Sequence, residues 1–185
     1  GPRRSKGWDL PLARPVSQPT AMAAVLRMTA MAYRLEAMSE GAMKVVRTYK
    51  QLVKAMDGGV LAAVLHIEGA EALTRDLHGL PVLYEAGIRS LGPVWSRPNL
   101  FGHGVPFNFP DTPDIGPGLT RAGKDLISLC NELGMVVDLS HLNEKGFWDV
   151  AALSTAPLVA SHSSAHALCA SPRNLTDDQL KAVGE

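Results

Sequence analysis

The chain has 185 residues, 18 basic and 18 acidic, so its formal net charge is zero and bulk electrostatics offer nothing to a nucleic acid or an anionic membrane. A composition of 46% hydrophobic and 19% charged residues is that of a soluble globular protein and excludes extended disorder. The two cysteines, Cys130 and Cys169, are too few for a disulfide framework and read as reduced thiols in the core or near a site.

In chain order, residues 1–19 carry prolines and basic residues without periodicity and read as an extended arm or loop. No apolar stretch of signal-peptide type follows the basic residues there, and no run of about 18 apolar residues occurs in the chain. A cytoplasmic location without a membrane segment is therefore expected, although the abrupt start leaves room for a processed leader or anchor. From Thr20 the sequence TAMAAVLRMTAMAYRLEAMSE predicts a helix ending before Gly41, with its methionines packed in the core. A second helix is expected over Ala42 to Met56, stopped by Gly58-Gly59.

The period then changes. Val60 to Ile67 is an apolar run of strand length, followed by Glu68 and by a helix through Leu83; Ile88 to Val94 makes the next strand. Residues 95–118 form a long loop rich in proline and glycine with no helix or strand signal, of the kind used as a lid or binding loop. Thr120 starts a helix through Leu133 that carries Cys130 on its apolar stripe.

After that helix one small pattern occurs twice. Met135 to Leu139 is a short apolar run ending at Ser140-His141, and Pro157 to Ala160 is another ending at Ser161-His162. Between them Asn143 can cap a helix whose residues Phe147, Val150, Ala151 and Ser154 recur at helical spacing. A strand-helix-strand crossover leaves its strands parallel, so both histidines point from one sheet edge into one space. Each histidine taken alone is either a loop residue bonded to backbone or a metal ligand; the repetition brings the ligand reading level with the other. Glu68, at another strand end, is either a third ligand or a cap for the helix after it. Asp138 is either a partner for a ligand histidine or a structural buried carboxylate, and His66 shares a strand side with Glu68. His166 reads as a helix-face residue. Asn174-Leu175-Thr176 matches a glycosylation sequon, but Thr176 reads as a helix cap.

The strings HIEGAEAL around Glu68, VVDLSH ending at His141 and ASHSSAHALCASPRN from Ala160 to Asn174 closely resemble the membrane dipeptidase (renal dipeptidase, peptidase M19) family of metallohydrolases. The resemblance implies an α/β chain, residues 1–185 forming a single domain that is part of a TIM-type (β/α)8 barrel, since a whole barrel needs about 250 residues. It implies two zinc ions, with Glu68 bridging them and His141 and His162 on the second. It implies hydrolysis of dipeptides through a metal-bridging hydroxide, with Arg173 gripping the substrate carboxylate. It also leaves room for a homodimer.

Three departures accompany it. No His-x-Asp strand end precedes Glu68, and no later acidic residue assists the leaving amine; both losses read as truncation. Trp95 in GPVWSRPN stands where many family members carry a substrate-binding histidine, and His103 in FGHGV is either the imidazole supplied instead or a plain loop histidine. A non-catalytic barrel relative acting as a binding protein, or an amidohydrolase for another small amide, is the competing expectation.

Overall fold

The computed structural model describes residues 7–185. The part of the amino-terminal arm read from residues 1–6 lies outside the described residues. Trp8–Asp9 (β1) pairs antiparallel with Asn108–Phe109 (β6), and the Trp8 ring stacks on Phe109 at 4.8 Å. The loop 95–118 therefore does contain a short strand. That strand leaves no periodic signal because two residues are too few to alternate, and its partner lies about a hundred positions away.

Gln18–Met38 (α1) is the long helix expected from Thr20, with Pro19 in its first turn. Its methionines depart from the expectation: Met22 packs on the core, but Met28, Met31 and Met38 are exposed by 65%, 51% and 73%. The expected helix from Ala42 divides into a strand, Met43–Val45 (β2), and a shorter helix, Tyr49–Asp57 (α2). Thr48 makes the division, because its extended backbone starts the helix and its side chain accepts a hydrogen bond from the Gln51 amide.

The apolar run at Val60 to Ile67 is also two strands. Leu61–Ala63 (β3) pairs parallel with β2, while Leu65–Glu68 (β4) pairs parallel with Ile88–Gly92 (β5), with a register irregularity between Leu65 and His66. Between β4 and β5 the segment turns for several residues before the helix Gly79–Glu85 (α3), which is shorter than expected. Arg121–Leu133 (α4) comes next, capped by the Thr120 side chain and closed by Gly134 at φ 67°. It leads to Val136–Val137 (β7), parallel to β5.

Asn143 caps Glu144–Leu153 (α5) by accepting from the Gly146 amide, as its position predicts. The strand expected over Pro157 to Ala160 contracts to one parallel bridge, Asp138 to Val159. Asp177–Gly184 (α6) closes the chain with a full capping box of Thr176 and Gln179.

In order, β2, the β3/β4 run, β5, β7 and the Val159 segment lie parallel with helices between them, which is an arc of a (β/α) barrel. The core lies between this arc and its helices. Leu80 and Leu83 from α3, Leu126, Ile127 and Cys130 from α4, and Phe147 and Val150 from α5 pack there on Leu91 and Leu139. Burial pushes the Cys130 thiol up to about 12, so it is an inert packing group. Phe101, fully buried, packs the long loop onto the same core, and Val105 of that loop is fully buried as well. Every parallel strand of the arc consequently presents its carboxyl end to one side, the side from which Glu68, His141 and His162 project.

Candidate metal centre

Glu68 is the last residue of β4, and the glycine after it fixes its place. Gly69 has φ 90°, and a Cβ there would stand 2.4 Å from Glu71 Oε2, so only glycine allows the chain to turn directly after the carboxylate. His141 has φ 71°, a left-handed conformation uncommon for a residue with a side chain. Bonds on both sides hold it: the Val105 amide donates to the His141 carbonyl at 2.9 Å, and the buried Ser96 hydroxyl is 2.7 Å from Nδ1. His162 lies just beyond the Val159 bridge and reaches the same point from the neighbouring segment.

The three residues meet closely. His141 Nε2 is 2.9 Å from Glu68 Oε1, His162 Nε2 is 3.1 Å from the same oxygen, and the two Nε2 atoms are 3.0 Å apart. His141 is 5% exposed, whereas the Glu68 and His162 side chains are 44% and 45% exposed, so the cluster has a buried floor and an open mouth. Burial, with help from the Arg173 and His162 charges, pushes the His141 pKa down to about 3, so this ring is neutral near pH 7. A carboxylate oxygen and imidazole nitrogens are the donor set of divalent transition metals. Separations near 3 Å are those left between ligand atoms that each stand about 2.0–2.2 Å from one ion. On donor chemistry and spacing the residues present fit a metal, and among the described residues this is the cluster of histidine, cysteine and carboxylate groups that does so.

Asp138 holds the two histidine-bearing ends together. Its Oδ1 accepts from the Ser140 amide at 3.1 Å and the Ser161 amide at 3.0 Å, and its Oδ2 accepts from the Ser161 hydroxyl. In return the Ser140 hydroxyl accepts from the His162 amide at 3.1 Å. Burial raises the Asp138 pKa, but these bonds outweigh it and leave the carboxyl below the usual carboxylate range. Asp138 thus bonds to the serines beside the clustered histidines, while His162 Nδ1 stands 3.8 Å from its Oδ2.

Arg173 reaches over the cluster from the segment after Pro172. Its Nη2 donates to the His162 carbonyl at 3.3 Å, and although burial lowers its pKa, the charges of Glu68 and Asp138 act in the opposite direction. Trp95 lies 6.0 Å from the His141 ring, and Phe107, from the long loop, lies 6.2 Å from His141 and 5.6 Å from Trp95. Arg97 stacks on Trp95 at 5.1 Å and pairs with Glu71 at 2.8 Å, which braces this aromatic wall against the turn after β4.

The other candidates have separate surroundings. The His103 ring packs on Gly116 and its carbonyl accepts from the Asn143 amide at 3.1 Å; burial pushes its pKa down. His66 Nδ1 is 2.9 Å from Ser90 Oγ and its Nε2 is 4.0 Å from Asp138 Oδ2, and burial lowers its pKa also. His166 is on a turn rather than a helix face, 2.9 Å from the Asp111 carbonyl, because no helix begins between Ser164 and Thr176. Cys169 is exposed on the same irregular segment. Sequence reading missed Ser96, Phe107, Glu71 and Arg97, and it passed over the serine in each Ser-His pair although the repetition itself pointed to it.

Residues 5–185 match the family described as Membrane dipeptidase (Peptidase family M19). A protein in the pqqA 5' region of Klebsiella pneumoniae is 50% identical over 150 residues, 81% of this chain and 55% of that protein. Dipeptidase tcpJ of Claviceps purpurea is 31% identical over 142 residues, 75% of this chain and 32% of its own length. A crystal structure of a metallo peptidase from Rhodobacter sphaeroides, liganded with a phosphinate mimic of the dipeptide L-Ala-D-Ala, superposes with a TM-score of 0.93 at 49% identity; the match covers 95% of this chain and 50% of that one. The chain thus spans about half the length of that solved relative, and less than two thirds of the curated ones.

Proposed function

The chain belongs to the membrane dipeptidase family, peptidase family M19, and from that premise we propose that the protein it represents is a zinc-dependent dipeptidase. The observation that carries the reading is the convergence of Glu68 Oε1, His141 Nε2 and His162 Nε2 within 2.9–3.1 Å of one another at the mouth of a parallel-strand arc. Glu68, His141 and His162 would hold zinc, two ions being expected in the complete protein. When bound, such ions supply the Lewis acidity that activates water and polarises a peptide carbonyl.

The chain's own residues supply the rest. Glu68 brings negative charge to the mouth of the site, and the neutral imidazole of His141 offers a lone pair without competing for a proton. Arg173 presents a planar fork that suits the free carboxylate of a dipeptide and distinguishes it from a carboxyl-terminal amide. Trp95 and Phe107 form the apolar wall against which a substrate side chain rests, in the place where many family members carry a histidine. His103, on the same loop as Phe107, is the remaining candidate for the substrate side. The dipeptide mimic bound by the Rhodobacter sphaeroides relative supports this substrate class.

The test is a hydrolysis panel with the complete protein, stripped of metal and reloaded with zinc. Dipeptides, the same dipeptides as carboxyl-terminal amides, and other small amides are compared. Zinc-dependent cleavage confined to dipeptides with a free carboxylate supports the reading. Cleavage of other amides alone points to an amidohydrolase, and no zinc-dependent cleavage leaves a binding protein.

A further inference from the structure

The doubled Ser-His pattern has a role that metal ligation by the histidines does not use up. We propose that Asp138 and Ser161 form a relay that fixes the His162 imidazole in one tautomer, Nδ1 protonated and Nε2 bare, with Ser161 as the positioning residue. The inference rests on the reading of His162 as a metal ligand, and extends it to how that ligand is prepared.

Each proton in the relay has one place to go. Asp138 is buried, 3% exposed, and its carboxylate is an acceptor only. The Ser161 hydroxyl has one hydrogen, and it goes to Asp138 Oδ2. Ser161 Oγ also lies 2.7 Å from His162 Nδ1, and with its hydrogen committed it can only accept there. The Nδ1 atom therefore carries the proton of the neutral ring. Its Nε2 keeps a lone pair, directed to the point shared with Glu68 Oε1 at 3.1 Å and His141 Nε2 at 3.0 Å.

Asp138 Oδ2 is 3.8 Å from His162 Nδ1, too far for a direct bond, so the serine is the connection. The backbone amides of Ser140 and Ser161 hold the carboxylate from the other side, and the Ser140 hydroxyl accepts from the His162 amide, which fixes the ring's own backbone. Outer partners of metal-binding histidines act in this way by setting tautomer and orientation. At His141 the corresponding partner is Ser96, whose hydroxyl has no second partner among the described residues to commit its hydrogen, so the direction of that bond is not dictated.

The experiment uses the complete protein as wild type, Ser161→Ala and Ser161→Thr. Long-range proton–nitrogen correlation spectra of the metal-free protein report the His162 tautomer, and competition with a chromophoric chelator reports zinc affinity. The wild type is expected to show Nδ1 protonated and Nε2 bare. Ser161→Ala is expected to lose that single form and roughly 10- to 100-fold in zinc affinity, and Ser161→Thr, which keeps a hydroxyl, to recover both.

A wild-type ring protonated at Nε2 overturns the proposal even if the alanine variant does not fold. A folded Ser161→Ala with unchanged tautomer and zinc affinity overturns it also, as does a loss that threonine does not restore. A wild type with the expected tautomer but no zinc binding removes the metal reading and leaves the relay standing.

Discussion

The Nε2 atoms of His141 and His162 stand 3.0 Å apart, each within 3.1 Å of Glu68 Oε1, although the glutamate precedes His162 by 94 positions. Acceptor atoms this close repel unless a cation or protons lie between them. Replacing Glu68 by Gln keeps the volume and removes the charge. Zinc affinity of the complete protein should then fall by more than the roughly 10- to 100-fold that loss of an outer partner costs. Competition titration against a chelator measures it, and an unchanged affinity would take Glu68 out of the centre.

His141 makes stability depend on pH. Its folded pKa, about 3, lies below its ordinary value of 6.5, because burial disfavours the charged ring. Between those values the unfolded chain binds a proton that the folded chain does not. Stability should therefore decline as pH falls from about 6.5 toward 3 and be indifferent to this group above that window. Thermal melts of metal-free protein across the range should have a gentler slope in His141→Gln than in wild type. Parallel slopes would mean that the ring is protonated when folded.

Arg173 separates charge from geometry. A charge-assisted hydrogen bond is worth about 1.5–3 kcal/mol, so Arg173→Met should lose at least about tenfold in kcat/KM on a dipeptide. Zinc content should be retained. Arg173→Lys, which keeps charge but loses the fork, should fall between the two. The discriminating comparison is a dipeptide against its carboxyl-terminal amide: wild type should prefer the free acid, and the Met variant should not. A Met variant that still prefers the acid leaves Arg173 with only its bond to the His162 carbonyl.

Gly104 tests how the long loop sets the aromatic wall. A Cβ there would stand 1.7 Å from the Trp95 carbonyl oxygen and 2.6 Å from that of Arg97, both backbone atoms that cannot turn aside. Gly104→Ala should displace this segment and cost about 1–3 kcal/mol, as overpacking does. Near-ultraviolet circular dichroism should change with the Trp95 environment, and substrate KM should rise while zinc content holds. A variant with wild-type melting temperature and KM would show that the loop moves freely relative to Trp95.

What the sequence determined by itself was local. The caps at Thr120, Asn143 and Thr176 act over three residues, so their chemistry is written where they stand. The strand-helix-strand repeat brought His141 and His162 together because a parallel crossover admits essentially one hand. Position at a strand end placed Glu68 beside them. Tertiary structure decided everything that depends on what lies opposite. The run from Val60 divides because its first half meets β2 and its second half meets β5, and no periodicity within the run records that. Likewise β2 is extended because β3 borders it, and β6 exists because Trp8 stacks on Phe109. Ser96 contacts a histidine 45 positions away, and Phe107 joins Trp95 over the site only because Phe101 and Val105 are buried and hold the loop down. Such pairings draw their free energy from burial and hydrogen bonding across the fold, and a pattern confined to neighbouring residues does not contain them.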